Sequence, residues 1–134
     1  MAKVFLNNYT ISDKDLLEVL NKIARHVGNV WVTSGDRKNK KPPKGSPDTS
    51  LHRLNQAVDF GIHGLTLEQG FEKLKLKKKL IFNNSSKYEV IHHGKYTNTK
   101  GPHLHIGRYS KGKGIIFKIE GISPETKGKY TIIT

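Results

Sequence analysis

The chain has 134 residues, the length of one ordinary domain, and a hydrophobic fraction of only 34%. It contains no cysteine, which excludes disulfides, thiolate metal sites and a cysteine nucleophile. Lys and Arg number 24 against 11 Asp and Glu, and the resulting net charge of +13 indicates either an anionic partner or a strongly solvated basic surface.

The ends of the chain and its apolar runs bear on where the protein acts. The first residues, MAKVFLNNYT, lack the apolar core of a signal peptide, and no segment approaches the roughly 18 apolar residues of a membrane span. We therefore expect a protein that is made in the cytoplasm without a signal peptide and has no membrane span. Action outside the cell would need cell lysis, phage delivery or another export route.

One helix is predicted near the start of the chain. Ser12 is a capping residue, and an acidic residue three positions later approximates a capping box. Apolar residues then recur at helical spacing until Gly28, a natural stop signal. These features predict a helix over residues 13–27.

Two short strands and a long loop follow. β-Branched and aromatic residues predict a strand over residues 30–33, with Trp31 in the core. A second strand is predicted over residues 57–60, closed by Gly61. Between them, residues 34–50 are rich in Lys, Asn, Pro, Gly and Ser and predict a long exposed loop, a kind of segment that often carries function.

The second half of the chain predicts one more helix and four strands. A capping box at Thr66 opens a helix that ends near Lys78, with its later lysines on a solvated face. The strands are expected over residues 87–93, 102–109, 114–120 and 129–134, the last two as an antiparallel pair. This mixture predicts a single α+β domain over residues 1–134, with a small antiparallel sheet and two main helices.

Histidines are the main candidates for chemistry, because the chain offers no thiolate. His103 and His105 are two positions apart on a predicted strand, so their side chains point to the same face. Asp59 can converge with them if its strand lies alongside, and His52 would reach in from the loop. Two imidazoles and a carboxylate suit zinc and leave a fourth position for water, which is typical of catalytic sites. The spacing alone also fits a surface pair of histidines.

Three ordered segments resemble the D-Ala-D-Ala metallopeptidases, a family grouped with the lysostaphin-type enzymes and the hedgehog signalling domain. Residues 50–59, SLHRLNQAVD, resemble the motif S-x-H-x-x-G-x-A-x-D, with Asn55 in place of the glycine. Residues 33–37, TSGDR, resemble the S-G-x-R segment of the family. Residues 102–106, PHLHI, resemble its closing H-x-H strand. The matched region covers about half of the chain.

The resemblance implies a fold, a cofactor and a set of site residues. It implies a hedgehog- or D-Ala-D-Ala-peptidase-like fold and a zinc ion held by His52, Asp59 and His105. Arg37 matches the arginine that binds a substrate carboxylate or the oxyanion, tasks that suit a guanidinium fork. Ser50 matches a residue near the site that positions the substrate or His52.

The general base is the main departure from the family pattern. Many relatives have an acidic residue three positions before the last zinc ligand, where this chain has Pro102. His103 is the obvious substitute, as base or oxyanion partner, although a role as an alternative ligand fits equally well. Glu89 on the preceding strand is a weaker candidate. At most one of His92 and His93 can face the site, and structural or surface roles are favoured for both.

Two functions of different classes remain open from the sequence. The favoured one is a zinc peptidase that hydrolyses amides in the stem peptides of peptidoglycan, held on an anionic cell wall by its basic surface. The alternative is a non-catalytic, zinc-containing module that binds an anionic partner such as cell wall or nucleic acid. Nucleic acid is the less favoured partner, because aromatic residues do not alternate with the basic ones and no nucleic-acid-binding signature is present.

Overall fold

The chain folds into both helices and strands in a computed structural model that describes residues 2–36, 51 and 54–133. Within this part of the chain the helices are α1 (Lys14–His26), α2 (Leu67–Leu76) and α3 (Lys78–Ile81), with a 3-10 helix at Pro124–Thr126. The strands are β1 (Val4–Phe5), β2 (Val30–Ser34), β3 (Ala57–Ile62), β4 (Lys87–His93), β5 (His103–Tyr109), β6 (Gly114–Glu120) and β7 (Tyr130–Ile133).

The strands form one mixed sheet in the order β1-β2-β3-β5-β4-β6-β7. The β1–β2 and β4–β6 pairs are parallel, and the others are antiparallel. The α+β class is thus confirmed, and so is the antiparallel pairing of the last two strands. The expectation of a small antiparallel sheet with two helices is wrong: the sheet is seven-stranded and mixed, because the chain crosses from β5 to the far side of β4 before β6 begins.

The first helix shows how the local sequence sets an element. Asp13, not Ser12, is the N-cap, and its carboxylate accepts a hydrogen bond from the backbone N–H of Leu16 at 3.0 Å. The Ser12 hydroxyl instead donates to Asp36 at 2.7 Å, which ties the start of the helix to the end of β2. The apolar face of α1 is buried against the sheet, including Leu16 and Leu20. Burial of each such side chain stabilises the folded state by about 1.5–3 kcal/mol.

In the described part of the chain, the hydrophobic core lies on one face of the sheet. Every second residue of the central strands packs there against α1, α2 and α3, in a cluster that includes Val32, Phe60, Leu104, Val90 and Phe117. The opposite face carries the alternate residues and is called the open face below. It is defined by Trp31, Asp59, Gly61, Glu89, Ile91, His93, His103, His105, Lys118, Glu120 and Tyr130, which share one side through the strand register.

The placement of Trp31 corrects one prediction. Trp31 does not lie in the core; its side chain is 51% exposed on the open face and packs against Phe5, with 5.6 Å between the ring centroids. Its neighbours Val30 and Val32 take the buried positions because side chains alternate along a strand. Gly61 does not close β3 either, since the strand continues to Ile62.

None of the described helices is both long enough and apolar enough to cross a bilayer.

Candidate metal centre

Asp59 and His105 meet at the centre of the open face. They are directly paired across β3 and β5, and Asp59 Oδ1 lies 2.9 Å from His105 Nδ1. His103 follows on the same side of β5, with its Nε2 atom 3.4 Å from the same Asp59 oxygen. Asp59 and His105 are each only 8% exposed. The condition for convergence, that the Asp59 strand lies beside the His103–His105 strand, is met, and His103 and His105 share a face as predicted.

The donor atoms suit a zinc ion in both type and spacing. Two atoms bound to a tetrahedral zinc at about 2.0–2.1 Å lie roughly 3.3 Å apart. Of the ligands that the resemblance implies, Asp59 Oδ1 and His105 Nδ1 lie 2.9 Å apart, which is close to that separation and is also a hydrogen-bond distance. Residues 2–36, 51 and 54–133 do not contain three His, Cys, Asp or Glu side chains arranged to hold a metal among themselves. The third ligand implied by the resemblance, His52, lies outside the described residues, as do Arg37 and Ser50.

A second carboxylate orients His105 from the other side. Glu89 Oε2 lies 2.7 Å from His105 Nε2, while Tyr109 donates its hydroxyl to Glu89 Oε1 at 2.6 Å. Burial lowers the pKa of His105, but hydrogen bonds with Asp59 and Glu89 outweigh it and raise that pKa to about 9. A carboxylate on the outer nitrogen of an imidazole fixes the ring and strengthens it as a metal ligand. Glu89 therefore has the geometry of a residue that positions His105.

The same contacts make Glu89 a poor general base. Burial raises the pKa of Glu89, yet hydrogen bonds with His105 and Tyr109 lower it to about 2, with help from Lys118 at 3.6 Å. Such a carboxylate holds a proton weakly at neutral pH, and an effective base has a pKa near the working pH.

His103 has one nitrogen committed and one directed at the centre. Its Nδ1 atom lies 2.7 Å from the carbonyl oxygen of Gly101, which can only accept, so Nδ1 carries a hydrogen and donates it. The Nε2 atom then faces Asp59. Burial lowers the pKa of His103, but the hydrogen bond with Asp59 outweighs it and leaves that pKa above its ordinary value. The ring is thus held with Nε2 toward the centre, where it donates to Asp59 when protonated and can accept a proton when the ring is neutral.

The sequence prediction did not include a buried His93–Glu120 pair behind His103. The His93 ring stacks on that of His103 with 4.5 Å between centroids, and His93 Nδ1 lies 2.5 Å from Glu120 Oε1. Of the structural and surface roles expected for His93, the structure fits the structural one, since its side chain is almost fully buried. The useful signal was the β4–β5 register, which pairs His93 directly with His103. His92 points to the core face instead, 5.8 Å from the Phe71 ring.

Glu120 is held by a dense set of donors. Besides His93, its carboxylate accepts hydrogen bonds from the Thr97 hydroxyl and from the backbone N–H groups of Asn98 and Gly128. The carboxylate thus fixes the Nδ1–H tautomer of His93 and leaves Nε2 as the nitrogen for other contacts. A carboxylate that orients an imidazole is a recurrent arrangement in catalytic sites.

One departure from the family motif has a structural explanation. Asn55, which stands where the motif has glycine, adopts a left-handed backbone conformation with φ of 59°. Glycine adopts this conformation without cost, and asparagine tolerates it better than most residues. The substitution therefore still allows the turn that leads into β3.

Comparison with known protein families, with curated proteins and with solved structures gives no match to this chain.

Proposed function

We propose that this chain is a zinc-dependent peptidase that hydrolyses amide bonds in the stem peptides or cross-links of peptidoglycan. The proposed architecture is a hedgehog- or D-Ala-D-Ala-peptidase-like variant of the α+β fold. The observation that carries the proposal is the convergence of Asp59, His105 and His103 within 3.4 Å on one sheet face. These three residues belong to the segments that resemble the D-Ala-D-Ala metallopeptidases.

The proposed metal is zinc, held by His52, Asp59 and His105, with Glu89 orienting His105 through its outer nitrogen. When bound, zinc supplies a Lewis acid for the scissile carbonyl and lowers the pKa of water. Arg37 and Ser50 are assigned to the substrate by the resemblance, as a carboxylate or oxyanion partner and a positioning residue.

His103 is the proposed general base or oxyanion partner. The Gly101 carbonyl holds its Nδ1–H, so Nε2 is presented to the centre for the proton of the attacking water. The stacked His93 ring, fixed in turn by Glu120, limits the tilt of His103. The site therefore replaces the acidic base of many relatives with a histidine whose orientation is set by three other groups.

The first prediction concerns the metal. The purified chain is expected to carry about one zinc ion per molecule, and Asp59→Ala and His105→Ala are each expected to lose it, because each removes one of three proposed ligands. His26→Ala, at the end of α1, is the control and should retain zinc. The readout is elemental analysis after dialysis. Full zinc in both ligand variants would refute the assignment.

A wall assay decides between an enzyme and a binding module. Purified sacculi should release soluble muropeptides when treated with the protein, and mass spectrometry of the products identifies the bond. Retained zinc and wall binding with no released product would favour the non-catalytic alternative.

The second prediction concerns the basic surface. We expect binding to sacculi to weaken by at least about tenfold as the salt concentration rises from about 0.05 to 0.5 M, because exposed charges are screened. Lys78→Glu with Lys79→Glu, two exposed residues of α3, should weaken binding at low salt. Co-sedimentation measures both effects. A binding constant that is unchanged across this salt range would show that charge does not drive association.

A further inference from the structure

The exposed aromatic pair Phe5 and Trp31 lies on the open face, in one row of residues paired across neighbouring strands that also leads to the candidate centre. Phe5 pairs with Trp31, and Trp31 pairs with Gly61 across β1, β2 and β3. Phe60 pairs with Leu104, so the next position places Gly61 across from His103. The row therefore runs from the aromatic edge of the sheet directly to His103.

Gly61 has no side chain and leaves open space on the sheet surface between Trp31 and His103. A Cβ atom added at Gly61 would meet no atom of the described residues within 4 Å. Trp31 and His103 are two strand spacings apart, or about 10 Å. A chain-like ligand can therefore cross Gly61 between the indole and the imidazole without displacing a described side chain.

A small cavity adjoins the indole. It has a volume of about 190 Å³ and is lined by Phe5, Asn29, Trp31 and His63. Drug-sized ligands occupy about 300–1,000 Å³, so this cavity suits one ring of a larger ligand. The side-chain oxygen of Asn29 accepts a hydrogen bond from the backbone N–H of Lys3 at 2.8 Å. The N–H₂ group is then the part of this side-chain amide that can donate to a ligand.

We infer that this cavity is a subsite for an N-acetylated hexopyranose of the glycan strand, whose attached peptide crosses Gly61 to His103. The inference rests on the proposed function. A pyranose ring presents a face of C–H groups, which the negative face of an aromatic ring attracts, and polar groups at its rim. Asn29 and His63 line the cavity and have side chains that can hydrogen-bond to those polar groups.

The absence of charge at the cavity favours the sugar over the peptide. No Lys, Arg, Asp or Glu is among the described residues that line it. Stem peptides carry carboxylates and an amine, which would have no charged partner there, whereas N-acetylhexosamine is neutral. Burial of an unpaired charge is unfavourable, so the peptide is the poorer occupant.

The only tryptophan of the chain gives a direct binding test. Titration of the full-length protein with an N-acetylglucosamine tetramer should change Trp31 fluorescence saturably. Gly61→Val should leave tetramer binding unchanged but weaken binding of a sugar-bearing muropeptide by at least about tenfold, equivalent to about 1.4 kcal/mol, because it fills the space over which the attached peptide crosses. The variant should fold normally, because valine suits a strand and its Cβ meets no neighbour. Leu76→Ala, an exposed apolar residue of α2, is the control and should bind like the original chain.

A kinetic comparison tests the link to the peptidase site. The substrates are a sugar-bearing muropeptide and the same peptide without its sugar. Trp31→Ala should lower kcat/KM for the sugar-bearing substrate by about tenfold relative to kcat/KM for the sugar-free peptide. The loss should come mainly from a higher KM for the sugar-bearing substrate. Equal losses on both would assign Trp31 to the peptide, and no saturable fluorescence change would remove the subsite; either result overturns the inference. Failure of the proposed function is separate, since it leaves tetramer binding intact while neither substrate is cleaved.

Discussion

His103→Ala is expected to retain zinc and fold normally while its hydrolysis of sacculi falls by about 10²–10⁴-fold, the usual contribution of a general acid–base group. Its imidazole is held by the Gly101 carbonyl and presents Nε2 to Asp59, 3.4 Å away. Removal of the ring leaves the proposed ligands Asp59 and His105 in place, so metal content and turnover should separate. The measurement combines elemental analysis, thermal unfolding and the release of soluble muropeptides.

A matched variant distinguishes chemistry from packing. His93→Gln should lower turnover by only about tenfold, less than His103→Ala does, because His93 acts on His103 through ring stacking. His92→Gln, on the core face of the same strand, should leave turnover per folded molecule unchanged. Near-normal turnover of His103→Ala with intact zinc would place the base elsewhere. Glu89 would not be the natural successor, since its pKa of about 2 and its bonds to His105 and Tyr109 suit a positioning role.

Elements with strong local signals were predictable from the sequence. The strands at residues 87–93 and 114–120 have the predicted bounds, and the capping box at Thr66 is present with both of its hydrogen bonds. The shared face of His103 and His105 followed from side-chain alternation, whereas their convergence with Asp59 also required the pairing of β3 with β5. Each of these features depends on a few neighbouring residues or on one simple strand pairing.

Features set by long-range pairing were not predictable in the same way. The strand Val4–Phe5 has only two residues, too few for a periodic pattern. The parallel β4–β6 pairing brings His93 to Glu120, which is 27 residues away, and no local spacing indicates that contact. Composition alone predicts Trp31 in the core, whereas alternation with the two flanking valines places it on the open face.

The pairing that escaped prediction also has the largest expected effect on stability. Glu120 is 1% exposed and accepts hydrogen bonds from His93, Thr97 and the backbone N–H groups of Asn98 and Gly128. Burial raises the pKa of Glu120, but the hydrogen bonds outweigh it and lower that pKa from 4.5 to about 2. Because the folded-state pKa is the lower one, this carboxylate stabilises the fold fully above about pH 4.5. Its contribution is then lost as the pH falls through about 2.

Glu120→Gln is therefore expected to lower the free energy of unfolding at pH 7 by roughly 3 kcal/mol, the order of magnitude that corresponds to a pKa lowered from 4.5 to about 2. Glutamine can still accept from Thr97 but carries no charge that titrates, so the difference between the two proteins should shrink steadily from about pH 5 to pH 2. Glu125→Gln, an exposed residue of the 3-10 helix, is the control and should stay within about 0.5 kcal/mol of the original chain at every pH. Urea unfolding at several pH values measures all three proteins. A constant difference between Glu120→Gln and the original chain would mean that Glu120 acts by shape and not by charge. The convergence at low pH is therefore the decisive observation, because packing losses do not depend on protons.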